Sequence, residues 1–269
     1  MSATTTPGGL YRTYRSLDIP LVDGTKIYGI DVHEYRNHDL GGDFSTAAGL
    51  EAFEQLKSVV TKKCKSIGGK SYRFVYSDDD QVNGWKRTVY RADIITTWPD
   101  MMRPFLGKGS PDEIRMVIRL AIHFGLLAKT ASAVQEYCDK NIGLDCSGFA
   151  RAYYGTRWSS IAGVRDNSQR ITRLEDIRTG DALIWNSGGH VAVIDTIKSI
   201  EREKGIAYCL TCNVAESTAD PMVAGGPTDG LNYTEYYLLF DGNDKIKVLR
   251  SLASSSNGCY SPAVCVRRP

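Results

Sequence analysis

The sequence predicts an α+β fold, because one short helix is followed by a series of apolar segments rich in β-forming residues. The helix is expected at residues 146–154, where Gly155 ends it. Gly, Asn and Asp residues separate the later segments, as they do between consecutive strands. The predicted strands are 182–185, 191–197, 207–214, 236–240 and 246–249. A helix followed by consecutive strands is typical of α+β domains rather than of alternating α/β folds.

The first part of the chain predicts an N-terminal α/β extension. Residues 1–27 are rich in Gly, Thr and Pro and predict an irregular arm. Apolar residues at helical spacing predict a helix over residues 45–67. The segments 72–76 and 88–92 predict a hairpin. Between them lies a run of three aspartates, Asp78–Asp80, which we interpret as a solvated turn rather than a cation site.

A second helix has clear start signals near residue 110. Ser110 can cap it, Pro111 occupies the first helical position, and Glu113 completes a capping box. A further helix is expected at about residues 130–139.

The stretch 96–110 is the candidate domain boundary, because Pro99, Pro104 and two glycines interrupt regular structure there. We therefore predict an extension of unknown role at residues 1–109 and a domain that carries the chemistry at residues 110–269.

Composition excludes several classes of partner. The chain has 269 residues, 42% of them hydrophobic and 24% charged, with a net charge of +2. That charge is too small to indicate binding to nucleic acid. No run of about 18 apolar residues is present, so no membrane span is expected. The N-terminus lacks the basic start and apolar core of a secretory signal. We therefore expect synthesis in the cytoplasm, with any export by a signal-independent route unless a signal has been removed.

The seven cysteines are an odd number, so at least one is unpaired. Cys259 and Cys265 can pair after export or stay free, and the spacing leaves both open. Cys209 and Cys212 have the spacing of metal ligands, and the two later cysteines would complete a zinc quartet. One such pair within an apparent strand is a weak signal, so we predict no metal and no cofactor.

The strongest functional signal is the run from Gly143 to Phe149, which is Gly-Leu-Asp-Cys-Ser-Gly-Phe. Asp145 is placed to cap the helix that Cys146 begins. A cysteine in the first turn of a helix lies at the positive end of the dipole, which favours the nucleophilic thiolate. Its backbone N–H can also face the oxyanion of a tetrahedral intermediate.

His190 is the candidate base for this cysteine. A glycine-rich loop precedes it, and it begins the apolar strand predicted at 191–197. A histidine at the open end of a rigid strand suits a general base that must meet a helix N-terminus. The other histidines, His33, His38 and His123, are expected to lie away from the site.

Glu216 is the candidate third residue. It follows the strand predicted at 207–214, which is expected beside the strand that His190 begins. A carboxylate there can fix the imidazole tautomer. Asn213 is the alternative, since an amide oxygen can accept the same hydrogen bond.

Three motifs in this order carry a resemblance to a known family. They are Asp-Cys-Ser-Gly-Phe (145–149), Gly-Asp-Ala-Leu-Ile-Trp (180–185) and His-Val-Ala-Val-Ile (190–194). Together they resemble the NlpC-type papain-like cysteine peptidases, over roughly residues 130–220.

The resemblance implies a papain-like fold, in which the helix that bears the nucleophile packs on an antiparallel sheet. It implies Cys146 as nucleophile, His190 as base and Glu216 as third residue. Tyr137 and Ser147, together with Asp145, are further candidates for contacts with the substrate or its oxyanion.

The family's usual substrate is the stem peptide of the bacterial cell wall. We therefore expect a cysteine peptidase or amidase, with an exported antibacterial toxin as one setting and an immunity or delivery protein as partner. Two alternatives stay open. One is a deamidase, acyltransferase or lipid-directed hydrolase that uses the same pair, and the other is a non-catalytic binding module.

Overall fold

The computed structural model describes most of the chain, and the protein forms two compact units. The described residues are 5–36, 48–67, 71–82, 85–156, 160–185, 189–218, 230–240, 246–250 and 260–268. The barrel unit contains residues 1–13, 33–35 and 144–269, and the helical unit contains residues 14–32 and 36–143. The boundary predicted between residues 109 and 110 falls within the helical unit.

The described residues form seven α-helices and twelve strands. The helices are α1 (Pro7–Arg15), α2 (Ala48–Lys63), α3 (Trp98–Met102), α4 (Pro111–His123), α5 (Ala131–Asn141), α6 (Cys146–Tyr154) and α7 (Ile161–Asp166). The strands are β1 (Leu17–Pro20), β2 (Lys26–Ile30), β3 (Lys65–Ile67), β4 (Ser71–Val82), β5 (Trp85–Thr97), β6 (Gln169–Ile171), β7 (Ala182–Trp185), β8 (Val191–Glu203), β9 (Ile206–Thr218), β10 (Gly230–Phe240), β11 (Ile246–Arg250) and β12 (Tyr260–Arg267). Short 3-10 turns cover Arg103–Leu106 and Leu174–Asp176.

Six strands of the barrel unit close into an antiparallel barrel within the described residues. Neighbours run in chain order from β7 to β12. The last strand, β12, then pairs with β7 along one edge. Along its other edge β12 pairs first with β11 and then with the short strand β6, which lies outside the ring.

The predicted papain-like α+β fold, with a helix on an open sheet, is therefore wrong: the sheet is a closed barrel. The physical reason lies in β12, which the sequence pattern did not predict. Pro262 lies within this strand, and Pro weakens a strand prediction because it cannot donate to the ladder. Closure depends on the pairing of Val264 with Ile184, which lies far away in the chain, and period-two alternation carries no information about such partners.

Side chains at alternate positions fill the barrel interior. The buried cluster includes Ala192 and Ile194 of β8, and Cys212 and Val214 of β9. Since successive residues of a strand point to opposite faces, these positions define the interior face of each strand. Cys265 lies in the same cluster, and Cys212 and Cys265 are both free thiols that pack there as small apolar groups. Cys259 lies outside the described residues.

Helix α6 packs against β8 and β9 and is held at both ends. At its start, the Ser217 hydroxyl of β9 donates to the backbone oxygen of Leu144 over 2.7 Å. At its end, the Tyr154 hydroxyl donates to the backbone oxygen of Gly180 over 2.8 Å. Ser217 has the opposite parity to the interior residues of β9, so the helix lies on the outer face of the barrel. The first bond holds the start of α6 close to the end of β9, and the second holds its last turn close to the start of β7.

In the helical unit, α2 contacts α5, and α5 contacts β2. The predicted capping box of α4 is confirmed, because Ser110 accepts from the Glu113 N–H and Glu113 accepts from the Ser110 N–H. The predicted helix at 130–139 is also confirmed, as α5.

Two other expectations for the N-terminal half were wrong. Residues 1–27, predicted to be irregular, contain α1 and β1 and the start of β2. The predicted hairpin is longer than expected, because β4 and β5 extend from Ser71 to Thr97 around residues 83–84. Asp78–Asp80 therefore belong to a strand and not to the turn, since ladder pairing with β5 overrides their weak β-propensity.

Within the described residues, no helix combines the length and the apolar character needed to span a membrane.

Candidate active site

Cys146 is the first residue of α6, as the sequence predicted. Asp145 has an extended backbone and caps the helix, where its carboxylate accepts from the Gly148 N–H over 2.6 Å. Gly155, with a left-handed φ of 62°, ends the helix. Cys146 thus lies in the first turn, at the positive end of the helix dipole, and the residue is only 5% exposed.

His190 and Glu216 occupy interior-facing positions at one end of the barrel. His190 precedes β8 and has the same parity as Ala192, whose side chain lies in the core cluster. Glu216 has the same parity as Val214 on β9. Because β8 and β9 are antiparallel neighbours, the start of one lies beside the end of the other. The alternation that fills the barrel with apolar groups thus places two polar groups at its rim.

His190 contacts both of the other residues of the predicted triad. Its Nε2 hydrogen-bonds the Glu216 carboxylate, and its ring also hydrogen-bonds Cys146. The three side chains form one continuous chain from carboxylate to thiol, the arrangement that a nucleophile, base and orienting group require.

The charge balance favours a protonated His190. Burial by itself would lower the pKa of His190, but the hydrogen bonds to Cys146 and Glu216 outweigh burial and raise the pKa to about 9. Its imidazole therefore carries a proton at neutral pH. In cysteine hydrolases in general, a protonated histidine beside the sulfur stabilises the thiolate.

Glu216 is fully buried and needs partners to stay charged. One carboxylate oxygen accepts from His190, and the other accepts from the hydroxyl of Tyr236 on β10. Tyr236 is also fully buried, with its ring in the core cluster. The tyrosine therefore links the apolar interior to the polar rim and fixes the orientation of the carboxylate.

Trp185, at the end of β7, holds the imidazole from another side. Its ring meets the His190 ring nearly edge-on, with centroids 4.8 Å apart and planes at 70°. It also meets the Tyr236 ring at 6.3 Å and 79°. Packing of this kind limits the rotation of His190 and shields its bond to Glu216 from water.

Neither Tyr236 nor Trp185 was predicted from the sequence to be a site residue. Trp185 ends a quoted motif, and Tyr236 begins a predicted strand, so both were visible only as strand residues. A tyrosine at an interior strand position was the available signal, because a buried hydroxyl needs a partner.

The other predicted site residues have different surroundings. Ser147 is buried and donates to the Asp145 carboxylate over 3.0 Å, so both side chains stabilise the helix start. Asn213 donates to the Tyr233 hydroxyl over 3.2 Å, and it is Glu216 that hydrogen-bonds His190. Tyr137 lies on α5 of the helical unit, where burial raises its pKa and where it lines a cavity of about 310 Å³ with other residues of α2 and α5.

The remaining histidines have their own contacts. His33 lies near the Glu34 carboxylate, 3.3 Å from it, and its backbone oxygen accepts from the Leu231 N–H. His123, in the helical unit, packs against Phe74 with ring centroids 4.5 Å apart. His38 lies outside the described residues.

Comparisons of this chain with protein-family models, with curated proteins and with solved structures found no match.

Proposed function

We propose that this protein is a cysteine hydrolase that cleaves an amide bond through a thioester acyl-enzyme. The observation that carries the proposal is the continuous hydrogen-bonded chain from Glu216 through His190 to Cys146 at a helix N-terminus. A buried structural cysteine needs none of these features. A non-catalytic module would gain nothing from a buried carboxylate aligned with an imidazolium.

The proposed reaction begins with the Cys146 thiolate and the His190 imidazolium. The sulfur attacks the carbonyl carbon of the substrate, and the carbonyl electrons move to oxygen. We propose the backbone N–H of Cys146, in the first turn of α6, as a donor to this oxyanion. As the tetrahedral intermediate collapses, the carbon–nitrogen bond breaks and His190 protonates the leaving amine.

The second half of the reaction releases the acid. A water molecule gives a proton to His190 while its oxygen attacks the thioester carbon, and the carbon–sulfur bond then breaks. The products are a carboxylic acid and the original thiolate–imidazolium pair. Glu216 keeps its charge throughout, because its role is to orient and stabilise the imidazolium.

The substrate part of the proposal is a cell-wall stem peptide. It is supported by the order of the three motifs around Cys146, Trp185 and His190, which resemble those of the NlpC-type peptidases. Incubation of the protein with purified cell wall, followed by mass analysis, tests this part. New amine and carboxyl termini that the Cys146→Ala variant does not produce are expected. If the cell wall is not cleaved although Cys146 reacts with a thiol reagent, the proposed substrate is wrong. The proposed cysteine chemistry would not be affected by that result.

Alkylation by iodoacetamide at different pH values tests the cysteine chemistry itself. His190 has a pKa of about 9, above its ordinary 6.5, so the imidazolium is present below pH 9 and is lost as the pH rises through 9. The imidazolium is therefore present beside Cys146 at neutral and mildly acidic pH, where the proposed chemistry requires a reactive thiol. We expect peptide mapping to find label on Cys146 at pH 6.

Cys64 is the matched comparison, since it is a partly exposed free thiol whose pKa burial raises. It should react only at alkaline pH, and Cys64→Ala should leave the pH 6 labelling unchanged. His190→Ala should move the labelling of Cys146 to alkaline pH. Equal labelling of the two cysteines at pH 6, or labelling that is insensitive to His190→Ala, would remove the basis for the function.

A further inference from the structure

The helical unit contains a second cavity, of about 320 Å³, which shares the lining residue Leu127 with the cavity that Tyr137 lines. We propose that this cavity binds a carboxylate that carries a compact apolar group, with the guanidinium of Arg119 as the recognition element. The volume is near the lower end of the range for small-molecule pockets, so it suits a small ligand. This site is independent of the cysteine chemistry, because all its lining residues belong to the helical unit.

Within the described residues, Arg119, on α4, is a cation without a counter-ion. Its Nε is shielded from solvent and has no hydrogen-bond partner among the described residues. No ion pair to this guanidinium is found in that part of the chain either. Burial lowers the pKa of Arg119, because desolvation disfavours the charged guanidinium. A buried donor without an acceptor is costly, and a ligand carboxylate would satisfy two N–H groups of the planar guanidinium at once.

The other basic groups that line the cavity are either ion-paired or neutral. Lys129 pairs with the Asp23 carboxylate, which also accepts from the hydroxyl of Thr25 over 2.7 Å. His123 has a pKa lowered by burial and by the nearby charge of Lys63, so its ring is neutral at neutral pH. The cavity therefore offers one uncompensated positive charge. One such charge matches a monovalent carboxylate better than a phosphate dianion.

The rest of the wall is apolar. Four apolar side chains line the cavity: Leu21, Val22, Ile122 and Leu127. An apolar group of the ligand can displace water from these side chains, which adds the hydrophobic contribution to the ion pair. The combination selects a ligand with a carboxylate next to a branched or straight hydrocarbon group.

Two sources share this chemistry: a fatty acid and the C-terminal residue of a peptide. Isothermal titration of the full chain with sodium octanoate and with N-acetyl-L-leucine distinguishes them, and 1-octanol and inorganic phosphate are the matched controls. We expect saturable binding of at least one carboxylate. Octanol and phosphate should bind at least about tenfold more weakly, since a charged hydrogen bond is worth roughly 1.5–3 kcal/mol.

The decisive variant is Arg119→Gln, with Arg115→Gln as its control. Arg115 lies on the same helix but is paired with Asp112 over 2.8 Å and does not line the cavity. Arg119→Gln should weaken carboxylate binding at least about tenfold, while Arg115→Gln should change it less than about twofold. If Arg119→Gln does not fold, the Nε–H resonance of Arg119 in the unmodified protein gives the same answer, because it should shift when octanoate is added.

Three results would overturn the proposal. One is the absence of saturable binding of either carboxylate, and another is equal weakening by the two arginine variants. The third is octanol or phosphate binding as tightly as the carboxylates. Loss of cysteine activity would leave this site untouched, and failure of this site would leave the cysteine chemistry untouched.

Discussion

The interior of the barrel has an apolar middle and a polar rim, and the same strands build both. In the middle, Cys212 and Cys265 are buried free thiols, and burial raises the pKa of Cys212 to about 12. At the rim, Cys146 is the first residue of α6 and lies beside the protonated His190. The three thiols have the same chemistry, and their surroundings decide which one can act as a nucleophile.

The buried carboxylate marks the transition between the two regions. Glu216 occupies the next interior position of β9 after the apolar Val214, and His190 and Tyr236 both hydrogen-bond its carboxylate. A polar group in a core is stable only when such partners are supplied. The alternation along a strand therefore determines which side chains face the interior. Contacts from neighbouring strands determine whether such a side chain can be polar.

The largest expected effect on the rate comes from replacing one cysteine of each region, Cys146 at the rim and Cys212 in the middle, by alanine. Cys146→Ala should reduce amide hydrolysis by at least about 10³-fold, because the nucleophile is lost. Cys212→Ala should leave the rate within about twofold and lower the free energy of unfolding by roughly 1 kcal/mol, since it removes only a packed core atom. Kinetics on cell-wall peptide and urea denaturation measure the two effects. A Cys212→Ala variant that loses activity would show that the two regions do not work separately.

The next effect concerns the carboxylate at the rim. Glu216→Ala should lower the rate by roughly 10²–10³-fold, because His190 loses both its orientation and its counter-ion. Glu216→Gln should cost less, since its amide oxygen can still accept from His190 while the Tyr236 hydroxyl turns to accept from the amide nitrogen. Rates for the two variants, with circular dichroism as the folding control, test this order. An Ala variant more active than the Gln variant would contradict the orienting role.

The smallest effect concerns Tyr236, which we infer to be a positioning residue. Tyr236→Phe keeps the ring in the core and removes one hydrogen bond to Glu216, so we expect a loss of about tenfold in rate. Without that bond the carboxylate should interact more strongly with the imidazolium, and the pKa of His190 should rise further above 9. Titration of the His190 ring by NMR measures this shift. A rate loss with an unchanged titration would indicate a purely structural role for the hydroxyl.

Local signals predicted the parts of the site that depend on neighbouring residues. The capped helix from Cys146 to Tyr154 was predicted with its observed bounds, because the cap at Asp145 and the left-handed Gly155 are local features. The strands β7 and β8 were predicted to begin where they are observed. The pairing of β8 with β9 also followed from their order in the chain, and it brought Glu216 beside His190.

The closure of the barrel and the hydrogen bond that orients the Glu216 carboxylate could be seen only in the tertiary structure. Strand β12 closes the ring by pairing with β7, and Tyr236 reaches Glu216 from a third strand. Both contacts join residues that are distant in the chain, and hydrophobic alternation is the same for an open sheet and a closed one. The sequence by itself determined which residues can carry out the chemistry, because reactivity belongs to side-chain types and local caps. The fold determines which of the described cysteines lies beside a histidine and a buried carboxylate, because long-range strand pairing supplies those partners.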